Sequence, residues 1–148
     1  MAFRFSLAAV LRYRQGLEHQ QELRLHEANQ RLLAARQRVE EAGRLLAAMA
    51  REDAGKLTVG LSSAELQFDL FLRSRAAARR LALEKQLAGC ERARAECLRS
   101  YHLARQQREG VEALRRQQFE LYRQEEARRE QRRLDDMFLL RREYLRRR

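Results

Sequence analysis

The fold is decided between Asp53 and Glu65, where the chain reads DAGKLTVGLSSAE. This is the one stretch where the helical pattern of the sequence clearly stops. Gly55 and Gly60 interrupt it, because glycine is a poor helix former and a frequent turn residue. The sequence therefore predicts two helices separated by a turn at about residues 53–61.

The start of the second helix is marked by Ser62 and Glu65, which have the spacing of a capping box. The Ser62 hydroxyl can accept a hydrogen bond from the backbone N–H of Glu65, and the Glu65 carboxylate can accept one from the backbone N–H of Ser62. Leu61 and Leu66 flank this cap with the spacing of a hydrophobic staple. We therefore expect a well-defined helix start at about residue 62.

The composition is typical of long helices and coiled coils. The 148 residues include no proline, no tryptophan and 6 glycines, and 36% of them are charged. Most of the rest are strong helix formers, and 45% hydrophobic residues are too many for a disordered chain. We expect an all-α fold, a single elongated coiled-coil domain over residues 1–148, with a first helix over about 5–52 and a second over about 62–146.

Each predicted helix carries one line of mostly apolar residues at alternating spacings of three and four, the pattern of a coiled-coil seam. On the first helix this line comprises Leu7, Leu11, Arg14, Glu18, Gln21, Leu25, Ala28, Leu32, Ala35, Val39, Ala42, Leu46 and Met49. On the second helix it includes Leu66, Leu70, Leu83, Leu87, Cys90, Cys97 and Tyr101, with Arg73, Arg80, Arg94 and Arg108 as flanking interruptions.

One apolar line cannot bury itself, so each helix needs a partner helix. Folding back at the turn predicts an antiparallel two-helix hairpin in which the numbers of facing residues add up to about 115. Met49 would then face Leu66, and the residues beyond about Gly110 would form an overhanging C-terminal helix without a partner. A dimer that exchanges helices across the turn is the alternative.

The charge and the motifs exclude several classes of function. A net charge of +11 favours anionic partners, but the arginines alternate with glutamates, which is typical of an ion-paired surface and makes nucleic acid an unlikely partner. We find no catalytic or phosphate-binding motif, and expect no enzyme, cofactor, metal or small-molecule substrate. Cys90 and Cys97 are interpreted as small buried residues. The sequence shows no transmembrane span, and we expect a cytoplasmic protein.

Two groups of large apolar residues are candidates for docking surfaces. The first ends the second helix: Leu134, Met137, Phe138 and Leu145, with Tyr144 and the arginines Arg141 and Arg142 alongside. The alternative is that it packs on its own N-terminal segment, Phe3, Phe5 and Leu7. The second group is Phe68, Phe71 and Leu72, just after the turn, and its alternative is packing under the turn against Leu57, Val59 and Leu61.

The opening residues, Phe3-Arg4-Phe5-Ser6-Leu7-Ala8-Ala9-Val10-Leu11-Arg12-Tyr13-Arg14, followed by Glu18, Leu25 and Ala28, resemble the start of the FliJ family. Near the end, Arg133-Leu134-Asp135-Asp136-Met137-Phe138 and Arg141-Arg142 are similar to a basic-Leu-Asp-acidic segment of that family. The members of the FliJ family are coiled-coil stalk proteins of the bacterial flagellar export ATPase.

The resemblance implies a stalk that inserts into a hexameric export ATPase and promotes its assembly and activity. It also implies contacts with the cytoplasmic domain of the membrane export gate and with export chaperones, so that the chain would reach the cytoplasmic side of the inner membrane only through partners. ATPase docking would then fall to Leu134, Met137, Phe138, Arg141, Arg142, Leu145, Phe3 and Phe5, and gate docking to Phe68, Phe71, Leu72 and Arg75. The equivalent stalk of a virulence-type secretion system is the alternative.

Overall fold

The computed structural model describes residues 3–60 and 62–147, which form two long α-helices. Helix α1 spans Ala8–Val59, with 52 residues, and helix α2 spans Ser63–Arg146, with 84 residues. The two helices pack against each other, and the described residues include no strand. The predicted all-α helical hairpin is therefore confirmed.

Helix α1 ends seven residues later than the sequence predicted, so the expected turn over residues 53–61 is wrong. Gly55 lies inside the helix, where a glycine costs only about 1 kcal/mol relative to alanine. The last turn is stabilised by Lys56, whose Nζ lies 3.3 Å from a carboxylate oxygen of Glu52 one turn earlier. At the other end the helix begins at Ala8 rather than near residue 5.

Gly60 terminates α1. Its φ angle is 93°, in the left-handed region that residues with a Cβ rarely adopt, and its N–H donates to the carbonyl of Lys56 at 3.2 Å. An orphan carbonyl of the last turn is satisfied in this way, and the chain leaves the helix direction at once.

The capping box predicted at the start of α2 is present. The backbone N–H of Ser62 donates to Oε2 of Glu65 at 2.9 Å, and the N–H of Glu65 donates to Oγ of Ser62 at 3.3 Å. Helix α2 accordingly begins at Ser63. The staple predicted between Leu61 and Leu66 lies outside the described residues, because it depends on Leu61.

The chain divides into two compact units, and each helix contributes to both. One unit is His19–His102; the other contains the described residues 3–18 and 103–147. The single-domain organisation stays a prediction.

In the unit His19–His102, the apolar line of α1 is turned toward α2. Its members are all buried or half-buried: Leu25, Ala28, Leu32, Ala35, Val39, Ala42, Leu46 and Met49. On α2 the half-buried residues include Leu83, Leu87, Cys90, Cys97 and Tyr101. These small and medium-sized side chains form the apolar interface of this unit, with Ala28 and Leu32 as its most buried members.

The register of this pairing differs from the prediction. Oδ1 of Asn29 accepts a hydrogen bond from Nε of Arg94 at 3.2 Å. Two ion pairs also join the helices: Nη2 of Arg36 lies 3.6 Å from Oε1 of Glu91, and Nζ of Lys56 lies 3.3 Å from Oδ2 of Asp69. The numbers of these facing residues add up to between 123 and 127, whereas about 115 was expected from the coiled-coil pattern. The longer α1 accounts for the difference, because α2 starts where predicted while the chain turns back seven residues later.

The second unit pairs the beginning of α1 with the middle of α2. Arg14 donates to Gln107 at 2.6 Å, Leu11 and Ala104 are buried, and Arg108 forms ion pairs with Glu18 and Glu112. Arg108 therefore lies within the interface, where a flanking position was predicted. It faces Glu18, whereas the predicted sum of about 115 would have placed it opposite Leu7.

An aromatic contact extends this pairing further along α2. The centre of the Phe3 ring lies 5.2 Å from the centre of the Phe119 ring and 5.6 Å from that of the Tyr122 ring. The Phe3 and Phe119 rings are nearly perpendicular to each other. The prediction that α2 is unpaired beyond about Gly110 is therefore wrong. The N-terminal segment reaches Tyr122, and the stretch left without a neighbour is shorter than expected.

Candidate functional site

Surfaces, rather than enclosed sites, are the functional candidates in this structure. Over residues 3–60 and 62–147, no group of three or more His, Cys, Asp or Glu side chains could hold a metal ion. Within the same residues, no helix is both long enough and apolar enough to cross a membrane. The free cysteines Cys90 and Cys97 are half-buried and line an open groove of about 500 Å³ together with Ala28.

The first candidate surface lies at the start of α2, where charged residues occupy the positions facing α1. Asp69 pairs with Lys56 at 3.3 Å, and Arg73 pairs with Asp53. The Asp53 and Asp69 side chains are only 20% and 18% exposed, so both ion pairs belong to the interface between the helices.

Leu66 and Leu70, which the sequence assigned to this interface, are 43% and 54% exposed. That assignment is wrong, and the cause is the register. Because α1 continues to Val59, its interface line also includes Asp53 and Lys56. These two residues form ion pairs with Arg73 and Asp69, which therefore occupy the interface positions of α2. The sequence does contain an indication of this register, because the alternating spacing of three and four continues from Leu46 through Met49 to Asp53 and Lys56.

The ion pairs change the protonation equilibrium of Lys56. Its hydrogen bonds to Asp69 and then to Glu52 raise the pKa of the ammonium above its ordinary value. In the capping box, the backbone hydrogen bond from Ser62 lowers the pKa of the Glu65 carboxyl, and the hydroxyl of Ser62 acts in the same direction. Both groups are thus held in their charged forms by local contacts.

The predicted gate-docking residues form one exposed face, called here the tip patch: Phe68, Phe71, Leu72 and Arg75. They recur at the i, i+3, i+4 and i+7 spacing of one helix face. Phe68 and Phe71 are exposed, and the guanidinium of Arg75 lies 5.8 Å from the centre of the Phe71 ring. The alternative packing against Leu57, Val59 and Leu61 lies outside the described side chains.

The second candidate surface is the end of α2. Every residue from Ala127 to Arg147 is exposed. Six of these residues, Leu134, Met137, Phe138, Arg141, Tyr144 and Leu145, lie along one side of the helix and are called here the terminal stripe. They lie within about 60° of Arg141 at about 100° per residue. A broad apolar face is thus left uncovered.

The terminal stripe does not continue the line that faces α1. Extended from Tyr122 with the same alternating spacing, that line passes through Arg129, Arg133, Asp136, Leu140 and Glu143. The stripe residues Leu134, Met137 and Tyr144 each follow a residue of this line by one position, which is roughly 100° around the helix, and Phe138 and Leu145 lie one position further. A longer α1 in the same register would leave the stripe uncovered.

The N-terminal aromatic residues are not part of this surface. The proposal that the stripe packs on Phe3, Phe5 and Leu7 is wrong, because the stripe is exposed and Phe3 contacts Phe119 and Tyr122. Tyr122 precedes Leu134 by twelve residues, or about 18 Å along a helix. The structure therefore does not bring Phe3 and Phe5 together with Leu134–Leu145, as the predicted ATPase-docking set required.

Several charged side chains along this part of α2 are paired within the helix. Arg129 pairs with Glu126 at 3.2 Å, Arg147 lies 3.6 Å from Glu143, and Gln131 donates to Asp135 at 3.0 Å. Such exposed pairs add a few tenths of a kcal/mol each to helix stability, on the order of 0.3. Among the described residues of this segment, the arginines without such a partner are Arg128, Arg132, Arg141, Arg142 and Arg146.

These features define a class of protein: a two-helix, coiled-coil-like hairpin that exposes apolar faces and offers no enclosed site over its described residues. The sequence matches the family described as Flagellar FliJ protein over residues 3–148. The chain belongs to that family, whose members are non-enzymatic helical proteins, and it is associated with flagellar export. Searches of curated proteins and of solved structures return no match.

Proposed function

We propose that this chain is a non-enzymatic stalk of the flagellar protein export apparatus. The terminal segment of α2 docks into a hexameric export ATPase and promotes its ring assembly and activity. The tip patch docks on the cytoplasmic domain of the membrane export gate, and the chain also engages export chaperones. It acts on the cytoplasmic side of the inner membrane and reaches that membrane only through these partners.

The observation that carries this proposal is the uncovered end of α2. Residues 127–147 are exposed throughout, yet they include the apolar side chains of Leu134, Phe138 and Leu145. Burying a side chain of this size contributes about 1.5–3 kcal/mol, so a face of this kind can supply substantial binding energy. A preformed helix loses little conformational entropy on insertion, which also favours docking.

The family described as Flagellar FliJ protein favours the flagellar system over a virulence-type secretion system. A basic nucleic-acid-binding coiled coil is a weaker candidate. The arginines at the end of α2 are interspersed with acids, and several of them are paired, as Arg129 is with Glu126 and Arg147 with Glu143. A nucleic-acid footprint instead needs cations free to contact phosphates.

The test is the ATPase activity and ring formation of the hexameric export ATPase, measured with and without a stoichiometric excess of this chain. We expect both to rise with the wild-type chain and to rise much less with Phe138→Ala. Leu139→Ala is the matched control, because Leu139 is similarly exposed but lies on the other side of the helix from the stripe. Unchanged activity and unchanged ring formation with the wild-type chain would refute the proposal.

The gate contact is tested separately with the purified cytoplasmic domain of the export gate. Phe71→Ala should weaken its binding, whereas Leu81→Ala should not, since Leu81 is an equally exposed α2 residue outside the tip patch. Equal affinity of the Phe71 and Leu81 variants would remove the tip patch from the proposal and leave the ATPase contact standing.

A further inference from the structure

Arg141 occupies an unusual place for a charged side chain. It lies on the terminal stripe itself, three residues after Phe138 and four before Leu145, so apolar side chains precede and follow it on the same face. Arg141 is exposed, and among the described residues it has no ion-pair or hydrogen-bond partner. A partner that buries the stripe must therefore also bury this guanidinium.

The acidic residues of this segment lie elsewhere on the helix. At about 100° per residue, Asp135, Asp136 and Glu143 are all displaced from Arg141 by at least about 120°. Asp135 accepts a hydrogen bond from Gln131, and Glu143 is paired with Arg147, so these two carboxylates have partners on the far side. None of the three can neutralise Arg141 without leaving its own face.

We propose that the partner groove that receives the terminal stripe presents a carboxylate opposite Arg141, with apolar surface on both sides of it. This inference rests on the proposed function, since it describes the chemistry of the ATPase surface that docks the stalk. A buried guanidinium without a counter-charge is strongly unfavourable, whereas its planar fork can donate two parallel hydrogen bonds to one carboxylate.

A protein groove fits this arrangement better than a lipid surface. Helices that lie on a bilayer bury a continuous apolar face and keep their arginines at its edges, where the side chains reach the headgroups. Arg141 instead lies at the centre of the stripe. A protein can place one carboxylate at that position and apolar side chains beside it.

The test measures the affinity of the full chain for the hexameric export ATPase. We expect Arg141→Gln to raise the Kd at least about tenfold, because a buried charge loses its partner. Arg146→Gln removes the same charge from a residue about 140° away on the same segment, and it should change the Kd less than about twofold. Helicity measured by circular dichroism should be equal in both variants.

Arg141→Met distinguishes a carboxylate from a purely apolar groove. Methionine keeps an unbranched chain but removes the charge, so a carboxylate in the partner would be left unpaired and the affinity should fall about as far as with glutamine. An affinity equal to or tighter than that of the wild type would overturn the inference. So would equal Kd values for Arg141→Gln and Arg146→Gln.

The two levels of the proposal fail in different ways. If the wild-type chain does not bind the ATPase, the proposed function fails and this inference fails with it. If the wild type binds and Arg141 is dispensable, only the inference fails. A separate experiment measures binding of the full chain to vesicles of phosphatidylcholine with phosphatidylglycerol. Arg141-dependent binding to these vesicles, together with Arg141-independent binding to the ATPase, would assign the stripe to anionic lipid and overturn the inference.

Discussion

The tip patch and the terminal stripe are both exposed apolar faces of α2, but they are exposed for different reasons. At the start of α2, Asp69 and Arg73 occupy the interface with α1, and the large apolar residues around them are left outside. At the end of α2, no described residue covers the helix at all. The first surface results from a choice of interface residues, and the second from the absence of a neighbouring helix.

The difference matters for stability. A substitution of Asp69 or Arg73 at the start of α2 should act on the folded hairpin as well as on docking, because these two residues form ion pairs with α1. A substitution in the terminal stripe should act on docking alone. The effect of a substitution on folding should therefore be largest in the apolar interface and smallest in the terminal stripe.

The largest effect is expected from Leu32→Asp, which places an unpaired carboxylate in the apolar interface. Leu32 is 8% exposed, whereas its neighbour Leu33 is 60% exposed. We expect Leu32→Asp to lower the free energy of unfolding by about 3 kcal/mol, and Leu33→Asp by less than about 0.5 kcal/mol. Thermal unfolding followed by circular dichroism measures both. Similar losses in the two variants would contradict the position of the interface on α1.

A smaller effect is expected at the ionic part of the interface. Asp53→Ala leaves the half-buried Arg73 without its partner, and we expect a loss of about 1 kcal/mol, because both side chains remain partly in contact with solvent. The double variant Asp53→Leu, Arg73→Leu should be as stable as the wild type or more so, since well-packed apolar pairs commonly replace ion pairs without loss. Chemical denaturation of the three proteins is the measurement.

The double variant also separates stability from docking. If its stability recovers while binding to the export gate is weakened, the ion pairs orient the tip patch. Loss of stability beyond that of Asp53→Ala would show that the charged interface is needed for the fold itself.

The pairing of Lys56 predicts a dependence on alkaline pH. The folded state raises the pKa of Lys56, so its contribution to stability is fully present below the ordinary lysine pKa of about 10.4 and is lost as the pH rises through the folded-state value. The melting temperature should fall with pH in that range, and the fall should be shallower in Lys56→Met. Parallel pH profiles of the two proteins would contradict this role of Lys56.

The smallest effect on folding is expected from Phe138→Ala. Phe138 is 67% exposed and contacts no other helix among the described residues, so we expect a change in unfolding free energy of less than about 0.5 kcal/mol. The same variant is the one expected to impair stimulation of the ATPase. A destabilisation as large as that of Asp53→Ala would show that the terminal stripe is part of the folded core and would abolish the distinction between the two surfaces.

Several features could be predicted from the sequence because they depend on local spacing alone. The capping box at Ser62 and Glu65 requires only residues within one helical turn of each other. The buried line of α1 follows from the alternating spacing of Leu25, Leu32 and Val39, whatever helix lies opposite. The exposed stripe at the end of α2 was likewise visible as an apolar face.

Other features could not be predicted, because they depend on where α1 ends. A helix through Gly55 costs about 1 kcal/mol locally, and contacts of Lys56 with Glu52 and with Asp69 on the other helix can offset it. Local propensity near Gly55 therefore could not decide between an end near residue 52 and an end at Val59. That choice set the register of the whole pairing.

The sequence by itself determined that this protein has two helices, where the second one starts, and which face of the first is buried. These properties arise from hydrogen bonds and side-chain spacings within a few turns of one helix. Only the tertiary structure decided the register, the ionic interface of Asp53, Lys56, Asp69 and Arg73, and the contact of Phe3 with Tyr122. Each of these depends on the free energy of contacts between residues that are distant in the chain. The local pattern of one helix does not contain that information.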